Sequence, residues 1–401
     1  MLTREENDLL TQTGPGTPTG ELMRRYWLPA MLSEELQADG EPKQLRLLSE
    51  RFVAFRDSSG RAGILDEGCP HRGASLAYGR NEECGLRCIY HGWKVDIHGN
   101  IMDMPSEPED STFRTRIKHR SYPTHEAGGL VWAYFGPSEL KPAFPDWPWL
   151  SAPDSDREIN KVLQECNYAQ GLEGSIDSVH SDFLHSSDIR GRPSDHRPRL
   201  EVEDRPYGFR YGAIRRPDGE AGKSQYVRIT LYVAPCYVLI PIQRRSDGSE
   251  VVTHHAWIPI DDEHNYFYSI RWNRRGPIAQ DHGAQFAIDA EFRPERNRAN
   301  KHLQDRALMK AGNWSGIMGV NSQDFAVVES MDPIYDRTRE HLGSTDVAVA
   351  RFRRSVIQAA RSVSAGGTPP GLDGGTDFHC LATEERVVPI DMPWQEVAPF
   401  S

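Results

Sequence analysis

The strongest constraint on this chain is a pair of short motifs, Cys69-Pro-His71 and Cys88-Ile-Tyr-His91, separated by sixteen residues. Each supplies one thiolate and one imidazole. A structural zinc site usually pairs cysteine with cysteine and histidine with histidine. One of each per half points instead to a two-iron cluster with unlike ends, Cys69 and Cys88 on one iron and His71 and His91 on the other. Such a cluster passes single electrons, and imidazole in place of thiolate raises its reduction potential. Gly73 and Gly92, just past each motif, permit the close backbone approach that two loops over a cluster need. Cys84 would break the symmetry of the halves and reads as a small packed thiol.

The wording from Cys69-Pro-His-Arg-Gly-Ala74 through Gly85-Leu-Arg-Cys-Ile-Tyr-His-Gly-Trp93 resembles the Rieske [2Fe-2S] domain of ring-hydroxylating oxygenases. Around it the pattern is one of short strands. Phe52 to Phe55 and Ala62 to Leu65 flank Asp57-Ser-Ser-Gly60, and Trp93 to Ile97 and Ile101 to Met104 flank His98-Gly-Asn100, both hairpin signals. A helical lead precedes them, with apolar residues at helical spacing in Gly20 to Trp27. The strand Leu130 to Phe135 ends at Gly136-Pro137, and a proline-rich connection follows.

At 401 residues the chain is long enough for two domains, placed at 1–155 for the cluster and 156–401 for the rest. The formal net charge of −11 argues against a nucleic-acid or anionic-membrane surface, which would need a basic patch. The six cysteines lack the dense spacing of a secreted disulfide scaffold, so a reducing cytoplasm is expected. The N-terminus has no signal-peptide pattern, and no apolar run is long enough to span a bilayer.

The second half mixes periods: a helix near 164–181, strands around 225–243 and 251–271, and helices around 283–311 and 345–363. This predicts an α+β fold, an all-β N-terminal domain followed by an antiparallel sheet surrounded by helices. Asn167, Gln170, Glu173, Asp177 and His180 share one helical face. His180 and His185 are five apart, so the helix must end or distort for both rings to converge. Two histidines and a carboxylate with open positions form the facial triad of non-haem Fe(II) oxygenases.

The stretch from Asn167 to His185 resembles the iron-binding helix of Rieske oxygenases, and Gln323 to Ser330 resembles the later segment that supplies the carboxylate. The resemblance implies Asp324 as third ligand; by spacing alone Glu329, Asp332 and Asp336 compete. Gly14-Pro-Gly-Thr-Pro18, Met23 to Pro29 and Asp336 to Gly343 place the resemblance in the phthalate dioxygenase-like branch. That branch implies a homotrimer or dimer of trimers, in which the cluster of one subunit serves the mononuclear iron of its neighbour. It also implies Asp177 as the carboxylate bridging a cluster histidine and His180. No flavin or nicotinamide fingerprint is present, so the resemblance implies a separate NADH-dependent reductase, often with FMN and a [2Fe-2S] cluster.

In the strand Ser224 to Ala234 the even positions Tyr226, Arg228, Thr230 and Tyr232 share a face that can line a pocket. Arg210, Arg228 and Arg244 are candidates to pair with a substrate carboxylate, and Ser178 is a candidate substrate contact beside the iron ligands. The expected function is the terminal oxygenase that dihydroxylates an aromatic carboxylate such as phthalate, chlorobenzoate or phenoxybenzoate with O2. The alternatives are an O- or N-demethylating monooxygenase and a pure Rieske electron carrier.

Overall fold

The computed structural model describes residues 1–189, 193, 195–217, 222–280 and 286–398. It separates into two compact units, Arg24–Pro145 and Met1–Met23 together with Asp146–Ser401. The division therefore falls ten residues before the expected 155, and the first helix belongs to the second unit. Its bonds explain why. The Leu10 carbonyl accepts from the Tyr168 hydroxyl at 2.9 Å, the Thr11 carbonyl accepts from Asn167 Nδ2 at 2.9 Å, and Asn7 Oδ1 accepts from Arg337 at 3.2 Å. That helix, Arg4–Thr11, starts at a capping box in which Thr3 and Glu6 bond each other's backbone N–H, satisfying donors a helix start leaves free.

The Arg24–Pro145 unit is all β apart from short 3-10 turns. Its expected hairpins form: Glu50–Arg56 pairs antiparallel with Ala62–Asp66, and Lys94–Val95 with Ile101–Asp103. Val53, Phe55, Leu65, Leu86, Trp93 and Val95 form a core that also encloses Cys69 and Cys88.

The second unit is built on an eight-stranded sheet whose pairings are all antiparallel. The order across it is Arg157–Gln164, Asn265–Asn273, Glu250–Pro259, Tyr237–Arg244, Ser224–Val233, Gly208–Arg215 and Arg199–Arg205. Tyr237–Arg244 pairs with Ser224–Val233 only over Leu231 to Val233, then leaves it. The vacated edge from Ser224 to Ile229 is taken by a strand from near the C-terminus, Glu384–Pro389. The sheet is therefore forked beside Arg228.

The helix Tyr168–Ile176 packs on this sheet so closely that a Cβ on Gly171 would lie 2.1 Å from the Trp257 ring. Only glycine allows that approach. The expected C-terminal helix is Val347–Ser364, burying Val349, Phe352, Val356 and Ala360 at helical spacing. The helix expected over 283–311 is not found in its described part: residues 286–297 hold no helix, Arg298–Leu303 is a 3-10 segment and Arg306–Lys310 one short helix. Residues 283–285 lie outside the described residues. Pro294 interrupts any helix there, and Lys301, His302 and Leu303 all take positive φ near 50°.

Candidate active site

Two loops with the same hydrogen-bond frame carry the cluster motif. In the first, Cys69 N–H donates to the Ala74 carbonyl at 2.8 Å and Gly73 N–H donates back to the Cys69 carbonyl at 2.8 Å. In the second, Cys88 N–H donates to Trp93 at 2.8 Å and Gly92 N–H to Cys88 at 2.9 Å. Gly73 and Gly92 both sit at φ 76°, a left-handed conformation that favours glycine. The frames match residue for residue, but histidine stands second after cysteine in one loop and third in the other. The two imidazoles meet with ring centroids 4.4 Å apart, and His71 stacks on Trp93 at 4.7 Å.

These residues fit a Rieske cluster chemically. Burial pushes the Cys69 thiol up to about 11, with the backbone N–H of His71 opposing and the neighbouring Cys88 adding to the rise. A thiol held that high needs a bound cation to ionise. Burial, then the adjacent His71 and Arg72, lower the His91 pKa and so favour the neutral ring a metal ligand needs. His71 Nδ1 is buried with no hydrogen-bond partner among the described residues, as a ligand nitrogen would be. Cys84 lies apart, in the turn between Arg80–Glu82 and Gly85–Arg87, with Sγ 3.2 Å from Ser59 Oγ. It is partly exposed rather than packed.

The second site forms where the Tyr168–Ile176 helix stops. Asp177 caps its end, and a one-turn helix, His180–Phe183, restarts after it. That break brings the two rings together: His180 Nε2 and His185 Nε2 are 3.2 Å apart. Asp324 Oδ1, from the helix Val320–Glu329, lies 3.0 Å from His185 Nε2 and 3.4 Å from His180 Nε2. Among the described residues this is the one group of three or more such side chains placed to hold a metal ion. Burial alone would raise the Asp324 carboxyl, but hydrogen bonds to His180 and His185 hold it well below the usual carboxylate range. Burial pulls His180 down, and the Asp324 hydrogen bond and the charges of Asp324 and Asp177 overcome it and raise the ring. Two imidazoles and one carboxylate fit the facial triad for Fe(II).

The hydrogen-bond partners behind the ligands fix their orientation. Gln323, fully buried, gives both amide hydrogens to acceptors, Asp188 Oδ2 at 2.7 Å and the Ile317 carbonyl at 2.7 Å. Its Oε1 then faces His185 Nδ1 at 2.6 Å, so Nδ1 must carry the proton and Nε2 is left to the metal. Asp177 Oδ1 accepts from Val179 N–H at 2.7 Å, and Oδ2 lies 3.7 Å from His180 Nδ1. Arg215 ties the intervening turn to the sheet, bonding Asp182 at 2.7 Å and the Ser178 carbonyl at 3.2 Å.

The polar stripe read from the sequence divides in two. Asn167 caps the helix, Gln170 bonds the Val328 and Asp332 carbonyls, and Glu173 ion-pairs with Arg337 and Arg353; only Asp177 and His180 reach the site. The competing carboxylates are engaged elsewhere. Glu329 accepts from Glu165 N–H, Asp332 is paired with Arg298, and Asp336 with Arg4 and Thr338.

A cavity of ≈ 430 Å³ opens beside the triad, a size typical of small-molecule sites. Arg228 and Ser178 line it as expected; Arg210 and Arg244 do not. Arg210 stands opposite Leu231 across the strand pair, while its neighbour Tyr211 stands opposite Thr230 and faces the cavity. Arg210 is instead buried against Glu203, the Ala398 carbonyl and the Trp394 ring. Arg244 fails because of a register shift between Ile240 and Gln243. A bulge swaps the faces of a strand, so Ile240 lines the cavity before it and Gln243 and Arg245 after it, leaving Arg244 outward with Glu384. Arg245, Arg271, His255 and Thr253 also line the cavity; strand alternation could have indicated His255 with Thr253, had the strand's facing been known.

The sequence matches the Rieske [2Fe-2S] domain over residues 26–123 and a LigXa C-terminal domain-like model over 133–399. With both metal sites in place, this chain belongs to the Rieske non-haem iron oxygenases. It is an oxygenase subunit of the phthalate dioxygenase-like branch. It is 42% identical to the phthalate 4,5-dioxygenase oxygenase subunit of Pseudomonas putida, over 99% of this chain and 94% of that one. It is 44% identical to the tert-butanol monooxygenase / tert-amyl alcohol desaturase oxygenase subunit of Aquincola tertiaricarbonis, over 93% of this chain and 80% of that one. Its fold matches the crystal structure of dicamba monooxygenase bound to dicamba with TM-score 0.62 at 19% identity, covering 86% of this chain and 99% of that one.

Proposed function

We propose that this oxygenase subunit binds an aromatic carboxylate of the phthalate, chlorobenzoate or phenoxybenzoate kind and inserts both atoms of O2 into its ring. The observation that carries the substrate class is Arg228. It lines the iron cavity on the predicted face, and among the described residues its ion-pair contact is Glu385, distant at 3.5 Å, with Nε left without a hydrogen bond. A guanidinium so placed can take a carboxylate through its fork. Residues 24–145 act as the electron-transfer domain and the remainder as the catalytic domain.

Bound iron supplies dioxygen activation, and the cluster supplies single electrons. The chain supplies position and protonation state. Arg228 orients the substrate anion, Ser178 Oγ, buried without a partner among the described residues, offers a hydroxyl beside it, and Gln323 keeps the proton of His185 on Nδ1. Asp177 is the bridge between cluster and iron: its carboxylate is 27% exposed, enough to accept a hydrogen bond from a cluster histidine of a neighbouring subunit. A trimer, or a dimer of trimers, would provide that neighbour. Exposed Tyr78, Ile89 and Tyr90 around the cluster loops, and exposed Phe183, Trp314 and Met318 near the iron ligands, support such contacts.

A multicomponent system of this kind draws its electrons from a separate reductase, here NADH-dependent with FMN and a [2Fe-2S] cluster. The cytoplasm is the compartment that suits six unpaired cysteines, and no described helix is long and apolar enough to cross a membrane. A second reading, monooxygenation, draws on the likeness to the tert-butanol enzyme. The test is the iron-replete protein with a phthalate-type reductase, NADH and labelled O2, screened on benzoate, phthalate, phenoxybenzoate and methoxybenzoate by product mass. Two labelled oxygens in one product support ring dihydroxylation. A single labelled oxygen, or loss of methyl as formaldehyde, would make the enzyme a monooxygenase.

A further inference from the structure

His255 is a cavity residue that neither the iron site nor the arginine contact uses. It sits on the strand Glu250–Pro259, opposite Ser269 of the next strand, and both line the cavity beside Thr253. Its ring packs edge-on against Phe267 at 4.8 Å. Burial pushes it down to about 4, so at neutral pH the ring is uncharged and carries one N–H.

The neighbours decide which nitrogen holds that proton. Trp257 Nε1–H, which can only donate, donates to Ser175 Oγ at 3.0 Å. The same Oγ lies 3.3 Å from His255 Nδ1. The hydroxyl oxygen can accept twice, but a second donation from His255 Nδ1–H would leave the Ser175 hydrogen without an acceptor among the described residues, whereas giving that hydrogen to Nδ1 satisfies both groups. Accepting a bond also strengthens the hydroxyl as a donor. The proton of His255 is thereby left on Nε2. No hydrogen bond to Nε2 is formed by any described residue, and Nε2 is not among the atoms buried from solvent without one. It therefore reaches the cavity that His255 lines.

We propose that His255 is a specificity-determining residue, donating its Nε2–H to an uncharged oxygen of the substrate while Arg228 takes the carboxylate. Ser175 and Trp257 are positioning residues that set the tautomer. The two recognition points lie on strands that flank Tyr237–Arg244, and Arg228 stands four residues along its strand from Tyr232, the residue level with Val238 and His255, so they approach one ring from separate parts of the wall and read different substituents of it. This rests on the aromatic-carboxylate reading and adds to it: the preferred substrate carries an ether, hydroxyl or similar acceptor oxygen besides its carboxylate.

The test compares 3-methoxybenzoate with 3-ethylbenzoate, alike in shape but differing in the acceptor oxygen. Calorimetry on the anaerobic, iron-loaded protein gives binding without turnover. The wild type is expected to prefer the methoxy compound by about tenfold, the size of one net hydrogen bond. His255→Phe removes the preference, His255→Gln, which keeps an N–H donor, retains part of it, and Ser175→Ala reduces it, all with iron content and cluster absorption unchanged. Equal binding of the two compounds by wild type, binding of neither, or a preference untouched by His255→Phe would overturn the proposal. The aromatic-carboxylate reading fails separately, if no carboxylate in the product screen is oxygenated.

Discussion

Gln323 offers the sharpest test of how the iron site is held. Its amide orientation is not free, because Nε2 already serves two acceptors, so Oε1 must be the atom at 2.6 Å from His185 Nδ1. Gln323→Met keeps the length and removes every polar atom. His185 is 2% exposed, and its Nδ1–H would then be buried without an acceptor, costing about 1–3 kcal/mol. The ring could escape by moving the proton to Nε2, which takes that nitrogen from the metal. Loss of such a partner typically weakens metal binding about 10–100-fold, which is about 1.4–2.7 kcal/mol. Chelator competition followed by iron analysis measures this, with the cluster absorption as an internal control for folding. Iron affinity within about twofold of wild type, with the cluster intact, would refute the argument that Gln323 sets the tautomer.

Three further outcomes follow from the same geometry. His185→Ala loses the mononuclear iron and keeps the Rieske spectrum, giving about two irons per chain in place of about three; loss of the cluster as well would mean the sites are not separable. Asp177→Asn retains both metal sites, but substrate and O2 no longer reoxidise the reduced cluster at a useful rate in stopped-flow; normal turnover would remove Asp177 from the bridge. Glu329 is 1% exposed, and burial raises its carboxyl from 4.5 to about 7 against the opposing Glu165 N–H bond. The folded state then holds a proton that the unfolded chain releases, so its contribution is full below about pH 4.5 and lost as pH rises towards 7. Across that window the wild type is expected to lose up to about 3 kcal/mol relative to Glu329→Gln, read from urea titrations at several pH values; parallel curves would contradict it.

The Rieske motif was legible in the sequence because its four candidate ligands sit in two local loops, where spacing is geometry. His180 and His185 were legible as a candidate pair for the same reason, since they flank one helix break. Asp324 was not: it arrives from a helix 139 residues after His185, and only resemblance separated it from Glu329. Substrate residues were harder still. Alternation correctly turned Arg228 and Thr230 towards the cavity, but an unseen bulge after Ile240 exchanged Arg244 for Arg245. Arg210 failed because nothing in its own strand reveals which face a neighbouring strand presents. His255 escaped notice because its role depends on Ser175 and Trp257, whose contact is made only by the close seat of Gly171 on the sheet.

The forked sheet bears on how such a cavity can change. Arg228 stands opposite Glu385 in the strand that fills the fork, so this stretch of wall is set by a segment that carries no metal ligand. Side chains on a strand repeat every two residues. A two-residue slip of that strand would keep its faces intact while bringing Thr383 or Val387 to the place of Glu385. The arginine would be released or masked without disturbing iron, cluster or electron path. On the aromatic-carboxylate reading, the setting of Arg228 is thus adjustable from a piece of backbone that carries no metal ligand, and exchanging the tail strand changes it while Ser178 and His255 stay where they are.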